Sequence, residues 1–117
     1  MVNNSFVDCI TFEDIFLHQK RSFLQAVGHA VDFTNDTFCG IELDIDCIEN
    51  ALSSASSPMG INLIHARQYI SYSASVAKAA YLHISEGAVQ LSDGRTNSGT
   101  GKMISYLVSD FVKSIMI

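Results

Sequence analysis

Three acidic side chains open the chemistry of this chain, in the stretch Gly40-Ile41-Glu42-Leu43-Asp44-Ile45-Asp46. Apolar and acidic residues alternate there, the period-2 pattern of a β-strand. Ile41, Leu43 and Ile45 share one face; Glu42, Asp44 and Asp46 share the other. Same-face neighbours on a strand lie roughly 6.5–7 Å apart, so the two aspartates can converge on one small object. Carboxylates crowded on one face repel, and where partly buried they call for protons or a cation. The same pattern also describes the wet face of an edge strand, which needs no ligand. A further acid, Glu86, follows the apolar run Ala79-Ala80-Tyr81-Leu82-His83-Ile84-Ser85. The carboxyl end of a strand is where α/β enzymes gather functional groups, although a loop acid there can equally be solvated.

The elements that must hold these residues alternate along the chain. Phe6-Val7-Asp8-Cys9-Ile10 reads as a short strand. Thr11 is placed to cap a helix, with Glu13 and Asp14 in the first turn, where the helix dipole favours acids. Phe12, Ile15, Phe16, Phe23, Leu24 and Val27 then predict a helix over about 12–30. The acidic strand follows a polar turn at 32–37. After Asp46 the small, polar run 50–60, with Pro58, the chain's proline, is a loop. Asn62 caps a second helix that sends Leu63, Ala66, Tyr69, Ile70 and Ala74 towards a core. The run 79–85 is the second clear strand. The glycine-rich stretch 92–102 fails as a phosphate-binding loop: the required glycine is replaced by Thr96, and Met103 stands where Ser or Thr is needed. Ile104, Leu107, Val108, Phe111, Val112 and Ile115 form the apolar stripe of a closing helix. His18, His29, His65 and His83 stand singly, without a partner at ligand spacing, and read as surface or structural residues.

Strands alternating with helices imply an α/β domain with a parallel sheet. At 117 residues the chain is one domain or part of one, and its sheet edges leave room for self-association as a homo-oligomer. Its composition, 48% hydrophobic and 16% charged, is that of a globular chain rather than a disordered one. A net charge of −5 argues against nucleic acid or an anionic membrane as partner. No apolar run approaches the ~20 residues of a membrane span, and the polar start is unlike a signal peptide. Cys9, Cys39 and Cys47 are odd in number and form no C-x-x-C pair, which suits free thiols in the cytoplasm.

On these residues the chain resembles the arginase/ureohydrolase family. Leu43-Asp44-Ile45-Asp46 is similar to that family's second metal motif, an apolar strand ending in Asp-x-Asp. Leu82-His83-Ile84-Ser85-Glu86 resembles its strand ending in a substrate-site glutamate, and the stretch 100–111 resembles its closing helix. Ser57-Pro58-Met59-Gly60 and Gln68-Tyr69-Ile70 lie between in the matching order. Asp46 is followed by Cys47-Ile48-Glu49-Asn50, not by the two residues and Asp-Pro usual in arginases and agmatinases. Within the family, the stretch from Gly40 to Val112 looks most like the formimidoylglutamase-type branch.

The resemblance implies the C-terminal portion of a three-layer αβα fold, with residues 1–117 forming one partial domain. It implies two Mn²⁺ ions bridging a hydroxide that attacks an amidine or guanidine carbon, with Asp44 and Asp46 among the metal ligands. Glu86 would lie beside the cationic end of a small amidine or guanidine substrate. The family's earlier Gly-Gly-x-His and Asp-x-His-x-x-x-Asp elements do not occur here, so the chain is expected to be inactive alone. A small α/β interaction module with a solvated acidic strand is the non-enzymatic alternative.

Overall fold

In the computed structural model, which describes residues 7–51, 57–87 and 99–116, the sheet is built from two parallel strands. β1 spans Phe38–Asp44 and β2 spans Lys78–Ser85. They pair from Phe38 opposite Lys78 to Asp44 opposite Ser85, with an irregularity between Cys39 and Gly40. The helix Leu63–Val76, named α2 below, connects them. Parallel strands need such a crossover, because a tight turn cannot reverse the chain twice.

The alternation in β1 sorts its side chains as its spacing predicts. Ile41 and Leu43 are buried, and Glu42 and Asp44 are exposed. Ile41, Leu43 and Ile45 enter one core with Ala66, Ile70 and Ala74 of α2 and with Leu107. Leu107 belongs to the closing helix Gly99–Ile115, α3, which packs mainly on α2. Ile45, Ile70 and Leu107 are fully enclosed. Asn62 caps α2 as its position suggests, its side chain accepting the His65 N–H at 2.8 Å. Arg67 of α2 grips Asp110 of α3 at two points, 2.7 and 3.0 Å, and lies over the Tyr106 ring.

Three expectations are corrected. The helix over 12–30 is two pieces: a π-helical turn, Glu13–Leu17, and the α-helix Phe23–Phe33, α1. Thr11 does cap the first piece, accepting the Asp14 N–H at 3.1 Å. Gln19 then takes a left-handed φ of 51°, which a helix cannot contain. Ser22 restarts the chain through a capping box with Gln25. The break lets Phe16 and Phe23 both lie against the His65 ring, with centroids 5.1 and 4.9 Å away. A continuous helix would place them seven residues apart on one rod.

The second correction concerns the start of the chain. Phe6 lies outside the described residues, and Asp8 to Ile10 form no strand. The third is the end of the acidic strand: β1 stops at Asp44, and Ile45–Cys47 is a 3₁₀ turn. Most of the glycine-rich stretch compared with a phosphate loop lies outside the described residues. Its last residues, from Gly99, are helical. The apolar stripe of α3 is wider than its partners cover, leaving Val108, Val112 and Ile115 exposed.

Candidate functional site

The carboxyl ends of β1 and β2 bring the three candidate acids to one end of the sheet. Asp44 is the last residue of β1, and its side chain turns back to accept the Asp46 N–H at 2.8 Å. That bond starts the 3₁₀ turn and moves Asp46 off the strand. Ile45 between them is wholly buried and anchors the turn in the core. The segment after the turn is pinned as well. Ile61 N–H donates to the Cys47 carbonyl and Glu49 N–H to the Ile61 carbonyl, each at 2.9 Å. Gly60 makes this approach feasible, since a Cβ there would stand 2.4 Å from the Cys47 carbonyl oxygen.

Asp46 is half-buried, and its Oδ1 is enclosed without a hydrogen-bond partner among the described residues. An oxygen removed from water and left unsatisfied costs free energy, and a cation would relieve it. Burial, and then the Asp44 and Asp46 carboxylates, push the neighbouring Cys47 thiol above its ordinary pKa. Glu86 directly follows Ser85, the register partner of Asp44, and holds a left-handed φ of 66°. Gly87 then passes over Ile104, Ile45 and Thr100: a Cβ on it would meet the Ile104 side chain at 3.0 Å. The same core residue, Ile45, thus supports both the Asp44–Asp46 turn and the Glu86 corner.

The third strand acid does something else. Glu42 stays on the exposed sheet face, where its carboxylate accepts the Tyr81 hydroxyl at 3.2 Å and lies 3.6 Å from His83 Nδ1. The Glu42 carboxylate raises the Tyr81 hydroxyl pKa, both by its charge and through this hydrogen bond. Tyr81 lies flat across Gly40, whose missing Cβ would fall 2.1 Å from the ring. Glu42 and His83 occupy the same register position on neighbouring strands. Pairing by register was readable once both strands were placed; His83 alone carried no such signal.

The remaining histidines are dispersed. His29 bonds Asp8, His18 ends the π-helical turn, and His65 lies against Phe16 and Phe23. Among the described residues, no three His, Cys, Asp or Glu side chains form a group able to hold a metal ion. As hard oxygen donors, Asp44 and Asp46 suit a hard divalent cation such as Mn²⁺ in chemistry.

No protein-family model matches this chain, and no curated protein matches it. Its structure is similar to the 1.7 Å crystal structure of arginase from Bacillus subtilis subsp. subtilis str. 168, with a TM-score of 0.66 at 14% sequence identity. The match covers 82% of this chain and 34% of that one. The fold is arginase-like. The arginase-like part comprises most of this chain and about a third of the arginase, and at this identity the likeness is one of fold. No helix among the described residues is long and apolar enough to cross a membrane.

Proposed function

We propose that the chain carries part of the site of a manganese-dependent hydrolase acting on a non-peptide C–N bond. The reading is supported by Asp44 and Asp46, with its enclosed Oδ1, at the carboxyl end of β1 and by Glu86 one residue past the end of β2, in an arginase-like fold. The substrate class is a small amidine or guanidine. N-formimidoyl-L-glutamate is the specific choice, since Cys47-Ile48-Glu49-Asn50 stands where arginases and agmatinases carry their Asp-Pro. Water adds across the formimidoyl carbon, the bond to the glutamate nitrogen breaks, and that nitrogen takes a proton. The products are L-glutamate and formamide. A cytoplasmic enzyme of histidine catabolism is the corresponding setting.

Asp44 and Asp46 would hold the ion through the oxygens not used in their own turn. When bound, Mn²⁺ supplies Lewis acidity and lowers the pKa of water. The bond from the Asp46 N–H holds the Asp44 carboxylate against the start of the turn that carries Asp46. Glu86 would pair with the amidinium or guanidinium of the substrate through a charge-assisted hydrogen bond.

Calorimetry with Mn²⁺ tests the metal half. The two carboxylates alone should bind weakly, and Asp44→Ala should abolish the heat. Submicromolar affinity, or unchanged binding in Asp44→Ala, would overturn the partial-cage assignment. Formimidoylglutamate, arginine and agmatine assayed with Mn²⁺ test the substrate half in a protein containing the whole cage. A preference for arginine or agmatine would overturn the branch.

A further inference from the structure

A second site is independent of the acidic strand end. Between the π-helical turn and the start of α1 lies a cavity of about 420 Å³, lined by Phe16, Gln19, Arg21, Ser22, Phe23 and His65. No carboxylate lines it, in a chain where acids outnumber Lys and Arg by 12 to 7. Arg21 is half-buried, and among the described residues its guanidinium has no ion-pair or hydrogen-bond partner. Every other Arg or Lys in an ion pair faces an aspartate: Lys20 with Asp14, Arg67 with Asp110, and Lys78 with Asp36.

A further feature carries the same sign. Ser22 is the N-cap of the 11-residue α1, and its side chain and carbonyl serve Gln25 and Ala26. The N–H groups of Phe23 and Leu24 have no acceptor within the helix, and the positive end of its dipole opens at the cavity wall. The His65 ring also lines the cavity. The Phe16 and Phe23 rings pack on His65 and also line the cavity, offering apolar surface.

We propose that this cavity binds a small oxyanion joined to an apolar or planar body. Arg21 supplies the fork for the oxyanion, and Phe16, Phe23 and His65 enclose the body. The volume accommodates a molecule of benzoate size with accompanying water. A carboxylate and a phosphate monoester share this chemistry, and the experiment separates them.

The test is an NMR titration of the full chain with benzoate, inorganic phosphate and the neutral analogue benzamide, following the His65 ring resonances. Benzoate or phosphate should shift His65, and benzamide should not. Arg21→Gln should weaken the anion roughly ten- to a hundredfold, the loss of a charge-assisted contact. It should leave the melting temperature unchanged, since Arg21 holds no element in place. Benzoate binding tighter than phosphate assigns the occupant to carboxylates; the reverse order assigns it to phosphate monoesters. Silence at His65 with both anions, equal binding of benzamide, or undiminished binding in Arg21→Gln overturns the proposal. Loss of Mn²⁺ binding in Asp44→Ala, with benzoate binding retained, separates this site from the strand-end site.

Discussion

Arg67 Nε and Nη2 meet Asp110 Oδ2 and Oδ1 at 2.7 and 3.0 Å, joining α2 to α3 through both prongs of the guanidinium. The two partners are unequal. The Asp110 side chain is 11% exposed, whereas that of Arg67 retains 38% of its surface. Arg67→Ala strands a buried carboxylate, while Asp110→Ala leaves an arginine free to turn to water. The first should therefore lower the melting temperature more, on the order of 5 °C or beyond. Thermal melts of the two variants at neutral pH check the order.

Gly40 and Gly60 should respond oppositely to alanine. At Gly40 the obstacle is the far end of the Tyr81 side chain, which can swing away. Gly40→Ala should cost little, release the Tyr81 hydroxyl from Glu42, and lower the pH of tyrosine ionisation measured by absorbance. At Gly60 the obstacle is the Cys47 carbonyl and the Glu49 nitrogen, both backbone. Gly60→Ala should destabilise by about 1–3 kcal/mol in denaturant unfolding.

Tyr69 gives a pH dependence whose sign follows from its surroundings. Burial is the chief cause that raises its hydroxyl pKa, and the hydroxyl donates to the Glu42 carbonyl at 3.0 Å. The folded chain thus keeps the neutral form after the unfolded chain has begun to ionise near pH 10. Its contribution is intact below that pH and is lost as pH rises through the folded value. Tyr69→Phe should remove this alkaline decline. At neutral pH it should cost about 0.5–1.5 kcal/mol for the lost hydrogen bond. Urea melts at pH 7 and above pH 10 measure both.

Asp46 should trade stability for ligand. With its Oδ1 enclosed and unpartnered, Asp46→Ala should leave the metal-free chain as stable as the native one or about 1 kcal/mol more so. Mn²⁺ should raise the melting temperature of the native chain and not of the variant. At a hundred times its dissociation constant the ion would add about 2.7 kcal/mol. A variant clearly less stable without metal would count against the orphaned oxygen.

Much of the fold was legible because its signals are local. The alternation from Ile41 to Asp44 set the buried face of β1, and Asn62 announced the start of α2. The π-helical break was not read, although Ser22 and Gln25 stand at capping-box spacing. Apolar periodicity continues through the break because Phe16 and Phe23 both seek His65, a residue far along the chain. The end of β1 was hidden for a related reason. Ile45 keeps the strand's apolar rhythm, but it is buried by the turn that Asp44 closes over Asp46. Tertiary pairs such as Arg67 with Asp110 leave no mark on spacing at all.

Parallel strands cannot be seeded by a tight turn between them. β1 and β2 must wait until the chain has travelled through α2, so their pairing pays loop-closure entropy before it gains any contact. Between them, α2, capped by Asn62 at its own start, can begin from local information. The order of events during folding is thereby constrained: helix first, then docking of Ala66 and Ile70 on the forming strand face, and the Asp44–Asp46 turn last. Helix-weakening changes on the exposed side of α2 should slow refolding, whereas changes in the turn should chiefly speed unfolding.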